Sequence, residues 1–108
     1  MRVELLWWEG CPSYPQALDE LKDVLRAEGL DPEGVQMREV ESDEQAERER
    51  FPGSPTIRVD GQDLLPHEDG SPVGLTCRVY RLRDGRPSPT PDPADVRDAL
   101  RRFRARTG

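Results

Sequence analysis

The chain has little of what most catalytic and secreted folds are built on. Its 108 residues hold two cysteines and a single histidine. That is too few thiols for a disulfide framework, and the two thiols lack the close spacing of a structural zinc site. Cys11, Cys77 and His67 lie far apart in sequence, so a metal centre built from them has no spacing signature, and His67 reads as an exposed loop residue. Glycine-rich phosphate loops and GxSxG are missing, and the acids are spread too evenly to single out a general acid–base pair. No apolar run approaches the roughly 20 residues of a membrane helix. Val3 to Trp8 is too short for a signal-peptide core and contains Glu4. The expected compartment is therefore the cytoplasm, with no membrane partner. Positive charge is also short: the net charge is −6 and the pI about 4.8, which argues against a nucleic-acid partner. Arg97, Arg101, Arg102, Arg104 and Arg106 are a local exception, read as complements to a helix C-terminus.

A chain of this length predicts a single domain, 1–108, with a small core. Hydrophobic residues make up 33% and charged residues 35%, so apolar positions must be used sparingly. Val3 to Trp8 reads as a first strand. Ala17, Leu18, Leu21, Val24 and Leu25 share one face of a helix that follows. Ser13 with Gln16 predicts a capping box at its start, and Gly29 a left-handed stop. Val35 to Val40 is a second strand. Ser42 with Gln45 opens a short polar helix to about Arg50, anchored by Phe51. Thr56 to Val59 is a third strand, Asp60–Gly61 a hairpin turn, and Leu64–Leu65 the start of the return strand. Leu75 to Leu82 alternates like a strand, with Leu75, Cys77 and Val79 on one side. Asp84–Gly85 turns the chain. Pro87, Pro89, Pro91 and Pro93 suggest a polyproline-like connector. Asp92 caps a last helix with Val96, Ala99, Leu100 and Phe103 buried. The order is β-α-β-α-β-β-α, an α/β fold with a central mixed sheet and helices on both faces. Both βαβ connections are expected to be right-handed.

The segment Trp8-Glu9-Gly10-Cys11-Pro12-Ser13-Tyr14-Pro15 stands at the first strand–helix junction. A helix start offers unpaired N–H groups and partial positive charge, and both favour thiolate over thiol. Cys11 is thus a candidate nucleophile, lying just before the helix, with a small buried hydrophobe as its plainer reading. The residue three places on is Tyr14, not a second cysteine.

This layout, with Cys11 at the junction and Ser54-Pro55-Thr56 opening the third strand, resembles the thioredoxin-like superfamily over nearly the whole chain. The resemblance implies a cis Pro55 against the active-site Cys11. It implies thiol–disulfide redox chemistry with protein or low-molecular-weight thiol and disulfide partners, and no cofactor. The CxxC motif of that family reads Cys11-Pro12-Ser13-Tyr14 here, closer to glutaredoxin-like and monothiol variants. The chain is also similar to small bacterial thioredoxin-family proteins with a WEGCP start, an FPGSPTIRVDG middle and a GLxCRVY segment. Some of these carry an alkylmercury-lyase-like label, which implies capture of a soft metal or organomercurial by Cys11 and Cys77, with Asp63 or Glu68 as proton donor. A third reading is a binding module without redox activity.

The remaining candidates each have two readings. Cys77 is either a distant resolving thiol or a core residue beside Leu75 and Val79. Trp7 and Trp8 point to opposite faces, so Trp8 either lines a groove near Cys11 or packs under a helix. Tyr14 either donates to the Cys11 sulfur or to substrate, or simply starts the helix. Pro12, Ser54, Pro55 and Thr56 complete the expected substrate-binding set.

Overall fold

The structure is a computed structural model, and it describes residues 1–66 and 72–107. Strand β1, Val3–Trp7, lies at the middle of a four-stranded sheet. Its neighbours are β2, Gln36–Glu39, which runs parallel, and β3, Thr56–Val59, which runs antiparallel. Strand β4, Gln62–Asp63, closes the order β2-β1-β3-β4. Because β3 runs opposite to β1 and β2, the second connection is not a parallel crossover, and the handedness rule applies only to the first. The return strand begins at Gln62 rather than Leu64. Asp60 and Gly61 both take positive φ, 50° and 84°, and that two-residue turn re-pairs the chain at once.

Helix α1, Tyr14–Ala27, and helix α3, Pro93–Thr107, cover one face of the sheet. Leu5, Ile57 and Val59 meet Leu21 and Leu25 of α1 and Val96, Leu100 and Phe103 of α3 there. Helix α2, Asp43–Arg48, lies on the other face, where Leu6, Val40, Ala46 and Phe51 form a second, smaller cluster. Ser13 is the N-cap of α1, but it has helical backbone angles and its side chain makes no cap bond; Gln16 binds Glu20 instead. The box at Ser42 does form, with Gln45 N–H donating to Ser42 Oγ at 3.1 Å. Leu30 N–H to Leu25 O and Gly29 N–H to Arg26 O close a Schellman stop on α1.

The second face is too wide for α2, and charge covers the rest. Glu4 (3% exposed) accepts from Arg38, which also binds Glu49; Arg58 (8% exposed) binds Glu49 and Asp63. Glu4, Arg38, Arg58 and Asp63 sit on the four strands in turn, and Glu4 is directly opposite Arg58. The ladder crosses the whole sheet.

The region expected as a strand from Leu75 to Leu82 is mostly irregular. Only β5, Tyr80–Arg81, is strand, and it pairs with β6, Pro87–Ser88, in a separate hairpin. The expected polyproline connector therefore starts with a paired segment. Val79 is 73% exposed, so the alternation at Leu75, Cys77 and Val79 does not mark a buried face. The reason is local: this segment bonds to the loop before β3, not to a neighbouring strand. Among the described residues no helix is long and apolar enough to cross a membrane.

Candidate functional site

The site is built by one loop meeting one segment. Ser54 N–H donates to Thr76 O at 2.8 Å, and Arg78 N–H donates to Ser54 O at 2.8 Å. That pair of bonds is a parallel bridge with Cys77 opposite Ser54. Gly74 N–H adds a bond to Phe51 O at 3.0 Å. Tyr80 OH donates to Pro55 O, and Arg78 donates to Thr56 Oγ1 at 3.3 Å and to Leu65 O. The close approach needs Gly53: a Cβ there would lie 2.9 Å from Arg78 N, and its φ is +130°. The Ser54–Pro55 peptide bond is cis.

Cys11 enters from the other side. Its N–H donates to Trp8 O at 3.0 Å, a turn that holds it two residues ahead of the α1 N-cap. Its Sγ donates to Ser54 O at 3.4 Å. One carbonyl thus accepts from Cys11 and from the residue after Cys77. The Cys77 thiol is pushed up from its ordinary value, first by partial loss of solvation, then by a hydrogen bond to Cys11 and by the charge of Cys11. The two thiols therefore lie close enough to act on one another. Cys77 is exposed as a residue while Cys11 is 1% exposed. The core reading of Cys77 is overturned: the bridge to Ser54 turns it toward Cys11 and solvent rather than into the sheet. Cys11, expected as the nucleophile with a small buried hydrophobe as its plainer reading, is the enclosed sulfur of the two.

The other expected residues divide. Ser54, Pro55 and Thr56 are fully buried and frame the pair. The Ser54 hydroxyl is enclosed without a hydrogen-bond partner. Pro12 is exposed beside Cys11. Tyr14 stacks on Trp7 with ring centroids 4.4 Å apart, which ties the start of α1 to β1. Trp8 packs with the second cluster near Leu75, on the face opposite Trp7, and its ring lies against Gly10, where a Cβ would meet it at 2.4 Å. Glu9 is exposed; with burial and Glu41 it raises the Glu39 carboxyl. Asp63, expected as a proton donor toward the sulfurs, binds Arg58 Nε at 2.7 Å within the charged ladder. His67 and Glu68 lie outside the described residues. Among the described residues no group of three metal-ligating side chains converges.

Three residues of the site were not singled out from sequence. Gly53 permits the approach, Tyr80 holds Pro55, and Arg78, 8% exposed and 4.5 Å from the Tyr80 ring centroid, braces both. The glycine before Ser54-Pro55 was the available signal. Cys77 lines a cleft of about 590 Å³ whose apolar wall includes Pro52, Leu65, Pro66 and Val79.

Compared with family models, curated proteins and solved structures, the chain matches none of them.

Proposed function

We propose that the protein is a thiol–disulfide exchange protein of thioredoxin-like fold that works through Cys11 and Cys77 in place of a CxxC motif. The observation that carries this reading is the meeting of the two thiols at Ser54, across a fold that separates them widely in sequence. The sheet order β2-β1-β3-β4, the cysteine at the β1–α1 junction and the cis Ser54–Pro55 bond support the fold assignment.

The chemistry needs only these sulfurs. One attacks a substrate disulfide R–S–S–R′ as thiolate, forming a mixed disulfide and releasing R′–S⁻, which takes up a proton. The other then attacks the protein-bound sulfur, forming Cys11–Cys77 and releasing R–S⁻. Two electrons pass to the substrate, and an external thiol reductant restores the pair. Partners are accordingly protein or low-molecular-weight thiols and disulfides.

The test is the reaction of reduced protein with excess disulfide substrate, without external thiol, for wild type, Cys11→Ser and Cys77→Ser. Wild type is expected to end with an internal disulfide by mass and no substrate attached, and each variant with at most one attached substrate and no internal bond. Two attached substrates or two free thiols in wild type would sink the reading. The same convergence of sulfurs favours one alternative, capture of a soft cation. It predicts one Hg²⁺ per chain, lost in either variant, without disulfide turnover.

A further inference from the structure

The two sulfurs differ in access, and that difference assigns their roles. Cys11 is 1% exposed, closed in by the Trp8 turn and the Ser54 carbonyl. Cys77 is exposed and lies on the wall of the cleft. Resting on the dithiol reading above, we propose that Cys77, not Cys11, is the sulfur that takes the substrate, and that the substrate is an organic disulfide with apolar flanks seated in that cleft.

Attack on a disulfide needs the three sulfurs nearly in line, so the attacking sulfur must be open on the side away from its partner. Only Cys77 has that opening. In the first step the Cys77 thiolate bonds to one substrate sulfur, the substrate S–S bond breaks, and its second sulfur leaves as thiolate. In the second step Cys11 attacks Cys77 Sγ from inside, the Cys77–substrate bond breaks, and the substrate departs as thiolate to be protonated by water. Cys11 needs no opening to solvent for this, because its target is its neighbour.

The reverse direction gives the same answer. A reductant thiolate reaching the Cys11–Cys77 disulfide meets Cys77 first, and Cys11 leaves.

The walls name the substrate class. Pro52, Leu65, Pro66, Pro72 and Val79 line the cleft, and Val79 is 73% exposed beside it. The charged lining groups have partners of their own: Asp95 binds Arg83, Asp92 accepts from the N–H groups of Arg83 and Ala94, Arg78 donates to Thr56 and Leu65, and Arg81 donates to Gly85 O. The cleft thus offers an apolar wall on one side of the thiol and internally paired polar groups on the other, and its volume of about 590 Å³ lies within the usual range of small-molecule sites.

The experiment follows thiopyridone release from 4,4′-dithiodipyridine, an uncharged aromatic disulfide. Cys11→Ser is expected to release one equivalent rapidly and to remain a stable mixed disulfide at Cys77. Cys77→Ser is expected to react at least about tenfold more slowly, as an enclosed thiol does. Equal or faster reaction of Cys77→Ser overturns the assignment. Should Cys11→Ser fold poorly, substoichiometric iodoacetamide on reduced wild type followed by peptide mapping reads the same preference; labelling mainly at Cys11 overturns it. For the substrate class, rates with the aromatic probe and with bis(2-hydroxyethyl) disulfide are each divided by those of a small free thiol. A higher normalised rate for the aromatic probe supports the apolar cleft, and equal values refute it. Failure of the dithiol reading itself is separate: wild type would then end with two mixed disulfides and no internal bond, whichever cysteine reacted first.

Discussion

Mild oxidation is expected to raise the melting temperature of this protein by a predictable amount. The Cys11–Cys77 bond would close a loop of about 67 residues, and the chain-entropy treatment gives about 4 kcal/mol of stabilisation for a loop of that size. With an unfolding entropy near 2.1 cal/mol/K per residue, a 108-residue chain converts that into a rise of roughly 18 °C. One opposing effect is visible. Cys11 Sγ donates to Ser54 O at 3.4 Å, and a disulfide sulfur cannot donate. Losing that weak bond costs no more than about 1 kcal/mol, or roughly 4 °C. The expected rise is therefore about 14–18 °C. The same linkage makes the pair in the folded protein about 90 mV more reducing than in the unfolded chain. The assay is thermal unfolding by circular dichroism of reduced and oxidised wild type, with mass confirmation of the bond. Cys77→Ser under the same oxidant serves as the control and should not shift. A confirmed internal disulfide with an unchanged melting temperature would refute the entropy reasoning. Two free thiols would refute the geometry.

The Cys77 thiol is raised in part by Cys11, so in Cys11→Ser its alkylation rate should rise with pH at lower pH than in wild type; an unmoved profile contradicts the pairing. Burial pushes the Tyr80 phenol up to about 12, with Arg78 opposing the rise and Asp63 adding to it. A raised folded pKa gives stability that is complete below the unfolded value near 10 and lost as pH climbs toward 12, a loss of up to about 3 kcal/mol. Urea midpoints across that window should fall in wild type and fall less in Tyr80→Phe, and equal slopes would remove Tyr80 as the cause. Gly53→Ala places a Cβ 2.9 Å from Arg78 N at a φ of +130° and should cost about 2–3 kcal/mol. It should also slow formation of the internal disulfide, because the 76–78 segment must back away from Ser54; a rate equal to wild type would show that the approach does not depend on Gly53.

What sequence reveals here is the part that local chemistry decides. The apolar stripe of α1, the Ser42 cap, the Asp60–Gly61 turn and the buried face of α3 are each set within a few residues, and each is found where it was expected. Ser13 is an exception of degree. It is the cap position, but its backbone is helical rather than extended and its side chain makes no cap bond. The segment around Cys77 is different in kind. Its alternation imitates a strand, yet its backbone partners lie in the loop before β3, more than twenty residues earlier. No periodicity encodes such a pairing. Cys11 and Cys77 could be named as candidates from their chemistry, while their meeting depends on Gly53, Arg78 and Tyr80 acting together.

The charged ladder on the α2 face bears on how the sheet assembles. Glu4 and Arg58 face each other across β1 and β3, with apolar residues on either side of each in sequence. Slipping one strand by a single residue would turn its charge inward, under α1 and α3. A buried charge parted from its partner costs roughly 3–5 kcal/mol, a large share of the stability a domain of this size has to lose. Misaligned pairings are thus rejected while the chain is still choosing among them. The ladder works as a proofreader of strand register, and the short helix above it can stay short because the sheet beneath is aligned by charge.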